Sequence, residues 1–159
     1  GTLNFYEEIV EGFPKTIGQN GNLSDASVKF IMKAVQSRDN RGLRNHSAAP
    51  SADHSFCFAV ELANDKFWIH GESCALAAVI VAWHTGQQPE LLITKLDTCQ
   101  IRFRPLDMNM TREQLRLGLE QLPYWMGDRE HGRDVNSIMR NNPVVGTRFD
   151  EAWDWLNQV

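Results

Sequence analysis

Cysteine is scarce in this chain, with three residues in 159, and Cys57, Cys74 and Cys99 show no paired spacing. An odd, unpaired set argues against a secreted disulfide framework and for free thiols in a reducing, cytoplasmic setting. Long hydrophobic runs are also missing. The longest, Cys74 to Trp83, is too short to cross a bilayer and reads as a buried helix. No basic stretch followed by an apolar run opens the sequence, so no signal peptide is expected. Charge of one sign is lacking as well: the formal net charge is -4. Duplex nucleic acid demands clustered Lys and Arg, which this composition does not supply. Small basic groups occur at Arg38, Arg41 and Arg44 and at Arg102 and Arg104; a solvated face accounts for them, and a short single-stranded contact is the alternative. No Walker loop, glycine-rich dinucleotide fingerprint, His-Glu-x-x-His or EF-hand pattern is present, which leaves nucleotide-triphosphate chemistry without support.

What is present is ordinary globular material, 42% hydrophobic and 23% charged. That is enough to close one autonomous domain over residues 1–159 without a staple. No repeat or linker divides it; the segment from Arg38 to His54, rich in Asn, Ser, Ala and Pro, reads as a long loop of the kind that borders functional sites.

Hydrophobic spacing predicts the elements. Ser24 or Asp25 can cap a helix whose Val28, Ile31, Met32 and Val35 recur on one face, making it amphipathic and core-facing. Ser55 to Leu62 and Lys66 to His70 are rich in residues that favour strands, and Ala63-Asn64-Asp65 between them suits a hairpin turn. A helix beginning near Ser73, apolar on every face and stopped by Thr85-Gly86, then crosses to a third strand, Leu91 to Leu96. Thr111 and Gln114 form a capping box before Leu115, Leu119 and Leu122, with Pro123 as the stop. Short helical patterns around Val135, Ile138 and Met139, and around Phe149, Ala152, Trp153 and Leu156, complete the chain. The expected fold is therefore α/β, a single domain with a small mixed sheet and packed helices.

The stretch His70-Gly71-Glu72-Ser73-Cys74 is the most informative. At a strand-to-helix junction a neutral imidazole can ligate a metal, and a carboxylate two residues on can handle the proton of a metal-bound water. With the apolar helix, the strand from Leu91 to Leu96 and then Thr98-Cys99, it resembles the zinc-dependent cytidine deaminase superfamily over residues 55–104. That resemblance implies a deaminase-like fold and hydrolytic removal of an exocyclic amine from a nucleobase or nucleoside. His70 and Cys99 would be zinc ligands and Glu72 the proton carrier. The sequence departs from the family where Thr98 replaces a proline and Arg102 replaces the second cysteine ligand. Either a third ligand comes from Cys74, Cys57, His54 or His131 or the site is empty, and Arg102 is expected to point outward, toward a phosphate or carboxylate of the ligand.

Two other readings stand beside it. One is a non-catalytic protein-binding module, for which Trp125 in Pro123-Tyr124-Trp125-Met126-Gly127 is the best exposed anchor. The other is a cysteine-nucleophile hydrolase: Gly71-Glu72-Ser73-Cys74 resembles the papain-like peptidases, with Cys74 at a helix N-terminus and His131 and Asp134 as base and orienter. Partners would accordingly be a small base or nucleoside, or a protein, with neither duplex nucleic acid nor a membrane involved.

Overall fold

The computed structural model describes residues 11–18, 22–40, 52–127 and 137–159. Its packing divides into two compact units, Gly1–Ala49 and Pro50–Val159.

In the first unit a 3-10 turn at Phe13–Thr16 precedes helix α1, Asp25–Asn40. The expected cap is present: the Ser24 hydroxyl accepts from the Ser27 backbone amide at 3.2 Å. Both Ser24 and Ser27 also donate to the Thr16 carbonyl, at 2.7 and 2.6 Å, which pins the turn to the helix start. The expected core-facing stripe is not covered, however. Val28, Ile31 and Met32 are exposed, because the turn that packs on this helix reaches Ser27 and Phe30 instead. The side chains of Val35 and Arg38, and Arg41 and Arg44 altogether, lie outside the described residues.

The second unit is mostly helical and has no strand among its described residues, which corrects the expected α/β fold and its mixed sheet. Its elements are α2 Ala52–Asn64, α3 His70–Thr85, α4 Pro89–Thr98, α5 Arg112–Met126, α6 Ile138–Asn141 and α7 Thr147–Leu156. Among the described residues the β pairing amounts to one isolated bridge, Ile17 with Leu23, in the first unit.

Each expected strand fails for a physical reason. A strand from Ser55 to Leu62 would bury alternate residues, but Phe56, Cys57 and Val60 are buried while Phe58 and Leu62 are exposed, which is the period of a helix. The segment simply has two apolar periods, and packing selected the helical one. The supposed hairpin turn contains the end of α2, followed by Asp65 in the left-handed region at φ 47° and an extended link to α3. Leu91 to Leu96 lies inside α4, started by Pro89 in the first helical turn, where proline's missing N–H costs nothing.

The apolar helix α3 is central, as its composition predicts, though it begins at His70, three residues before the expected start near Ser73. Its Leu76, Val79 and Ile80 are fully enclosed, and it packs on α2, α4 and α7. Gly86 closes it in the left-handed conformation at φ 67°, donating to the Ala82 and Trp83 carbonyls, a role that a residue without Cβ fills best. The Thr111 capping box of α5 forms with both of its hydrogen bonds. The helix nevertheless continues beyond Pro123 to Met126, because Leu119, Leu122 and Met126 form one buried stripe whose packing outweighs the one lost backbone bond. Against α2, α5 packs so closely that a Cβ at Gly118 would stand 2.7 Å from the Cβ of Val60. Asn64 fastens the same pair of helices, donating to the Val60 and Gln114 carbonyls at 2.8 and 3.0 Å.

A candidate metal centre between two helices

Helix α2 presents His54 and Cys57 three residues apart, and α3 presents His70 and Cys74 four residues apart. Both spacings keep a pair on one helical face, with offsets of about 60° and 40° at 3.6 residues per turn. Packing of α2 on α3 then turns the two faces toward each other. The ligand atoms of His54, His70 and Cys74 all lie within 4.8 Å of one another, and among the described residues these three form the group able to hold a metal ion. The Cys74 Sγ stands 3.6 Å from His70 Nε2, and the His54 and His70 rings meet edge to face at 5.1 Å.

The surroundings favour ligation. His54 Nδ1 lies 3.2 Å from an Asp53 carboxylate oxygen, an arrangement that fixes the ring and leaves Nε2 free to bind. On the inner side, Cys57 Sγ is 3.4 Å from Cys74 Sγ and donates to the Asp53 carbonyl at 3.2 Å. Burial pushes both thiols above the ordinary cysteine range, and the neighbouring carboxylates add to this. For Cys57 the Cys74 partner raises it further, whereas for Cys74 the hydrogen bond with Cys57 works in the opposite direction. The dipole activation that a nucleophilic Cys74 would need is thus outweighed by desolvation. His131 and Asp134, the other members of that arrangement, lie outside the described residues.

The expected deaminase set does not assemble as drawn. His70 opens a helix instead of ending a strand, and it keeps its place among the potential ligands. Glu72 is two residues further along α3, about 200° around the helix from His70, and its Oε1 accepts from Arg102 Nε at 2.8 Å. Arg102, expected to face a phosphate or carboxylate of the ligand, instead pairs with the chain's own Glu72. Cys99 caps the C-terminal end of α4, is buried, and lies outside the His54, His70 and Cys74 group. Burial raises its thiol too, with Lys95 opposing. His54 and Cys57, expected on a loop and a strand, both sit on α2, and the pattern His-x-x-Cys with His-x-x-x-Cys places its members on facing surfaces only when both stretches are helical. Helix spacing at both pairs is the signal that finds it.

Arg104, the other member of its basic pair, is committed to Asp97 through two hydrogen bonds at 2.7 and 3.0 Å. Trp125 is half-buried. With Ala59, Leu62, Ala63, Leu117, Gln121 and Tyr124 it lines an apolar cleft of about 380 Å³ between α2 and α5, where Leu62 and Tyr124 are exposed. No described helix is long and apolar enough to cross a membrane.

No protein-family model matches the chain, and searches of curated proteins and of solved structures give no match.

Proposed function

We propose that this chain is a non-catalytic helical module in which a zinc ion, held by His54, His70 and Cys74, ties α2 to α3. The observation that carries the reading is the convergence of two histidines and a cysteine from consecutive helices to within 4.8 Å. Zinc is the metal suited to such a mixed nitrogen and sulfur set. Tetrahedral zinc with its usual bond lengths places a sulfur and a nitrogen ligand ~3.5 Å apart, and Cys74 Sγ to His70 Nε2 measures 3.6 Å.

Hydrolytic deamination is the competing use of such a metal, and it needs a base that can reach a metal-bound water. Glu72 is turned to the other side of α3 and held by Arg102, which favours the structural role. Exposed Leu62 and Tyr124 beside the α2–α5 cleft suit a module that works by contact.

Metal analysis of the reduced, purified chain tests this. We expect one zinc per chain, lost in His70→Ala and in Cys74→Ser and kept in Glu72→Gln. Ammonia release from cytosine or adenine compounds should be absent in all of them. A wild-type chain that takes up no zinc when the metal is supplied overturns the zinc reading. Zinc-dependent ammonia release that disappears in Glu72→Gln would restore the catalytic one.

A further inference from the structure

Three protein ligands leave the zinc question half answered, because a site with three is open to water and a site with four is closed. The inner side of the cluster supplies the difference. We infer that Cys57 is the fourth ligand, so that the chain binds zinc through two histidines and two thiolates in a closed, water-free sphere. This rests on the zinc reading above and adds to it the coordination number and the identity of the second sulfur.

The geometry points there. Two sulfurs on one tetrahedral zinc stand ~3.8 Å apart, and Cys57 and Cys74 Sγ stand 3.4 Å apart; Cys57 lies outside the three-residue group of His54, His70 and Cys74, so its side chain must rotate to bring the sulfur onto a metal held there. Cys57 shares the face of α2 that carries His54, and its side chain has no solvent exposure, whereas the two histidines are exposed. The four donors therefore divide into an outer imidazole pair and an inner sulfur pair. The fourth coordination position toward the protein interior is faced by sulfur, not by solvent.

The remaining contacts of Cys57 do not compete. Its thiol donates to the Asp53 carbonyl of its own helix at 3.2 Å and approaches the His70 carbonyl at 3.9 Å. Both are weak contacts of a sulfur donor. On binding, each thiol gives its proton to water and its sulfur lone pair to the cation. Zn²⁺ plus two thiols becomes a neutral dithiolate site with two protons released.

The test is to load the reduced full chain with Zn²⁺ or Co²⁺. X-ray absorption of the zinc-loaded wild type should fit two sulfur and two nitrogen neighbours. In the cobalt form, Cys57→Ser should lose about half of the near-ultraviolet thiolate-to-cobalt absorption and Cys74→Ser, which gives up the metal, all of it, with circular dichroism confirming that the variants remain helical. One sulfur neighbour in the wild type, or undiminished absorption in Cys57→Ser, overturns the role of Cys57 and leaves a three-ligand zinc site standing. Should Cys57→Ser fail to fold, the wild-type absorption measurement decides by itself. A wild type that binds neither metal overturns the inference together with the zinc reading on which it stands.

Discussion

At the scale of single residues, several charged side chains of the second unit are held in ion pairs. Glu72 neutralises Arg102, and Arg104 grips Asp97 with two hydrogen bonds while its Nε donates to the Val159 carbonyl at 2.7 Å. The Arg104 guanidinium holds the Asp97 carboxyl below the usual carboxylate range. A group whose pKa is lowered on folding contributes stability above its unfolded value, near 4. That contribution is lost as pH falls through the folded value. Asp97 is about half exposed, so solvent screening keeps the effect within ~1 kcal/mol. Thermal unfolding of Asp97→Asn should therefore show a small deficit against the wild type at neutral pH, and the two melting curves should converge in strong acid. A deficit that persists unchanged at about pH 2 would assign the loss to packing instead of charge.

At the scale of elements, α2 and α5 cross in close approach at Gly118. A methyl group there would lie 2.7 Å from the Val60 Cβ and 2.8 Å from its Cα, too close for backbone on one side to yield cheaply. Alanine's better helix propensity favours the substitution by ~1 kcal/mol, whereas overpacking opposes it by ~1–3 kcal/mol. Gly118→Ala should accordingly lower stability in denaturant titration, with an unchanged slope. A more stable variant would show that the two helices can part without cost. The same elements show what spacing can and cannot disclose. Thr111 with Gln114 announces the start of α5 because a cap is a local device. Phe56, Ala59 and Val60 announce nothing decisive, because a short apolar run suits a strand as well as a helix until its neighbours are present.

At the scale of the whole molecule, the second unit has a contiguous core running from Phe56 through Leu76 and Ile80 to Phe103, Leu119 and Leu156, so the proposed zinc would add to a body that already packs. Binding to the folded state alone stabilises it by mass action, ~4 kcal/mol when free metal exceeds the dissociation constant a thousandfold. Chelation should then lower the melting temperature of the wild type without unfolding it at room temperature, and should leave His70→Ala unmoved. Equal melting curves with and without chelator would remove the metal from the stability of the fold. By itself, the sequence determined the free thiols, the all-round apolar character of α3, and the caps at Ser24, Thr111 and Gly86, since composition and local hydrogen bonding suffice for these. Only the tertiary structure decided that no sheet forms among the described residues, that Pro123 does not end α5, and that Glu72 answers to Arg102. It alone drew His54 and Cys74 to His70 in place of Cys99, because a cluster made by two helix faces exists only when the helices pack.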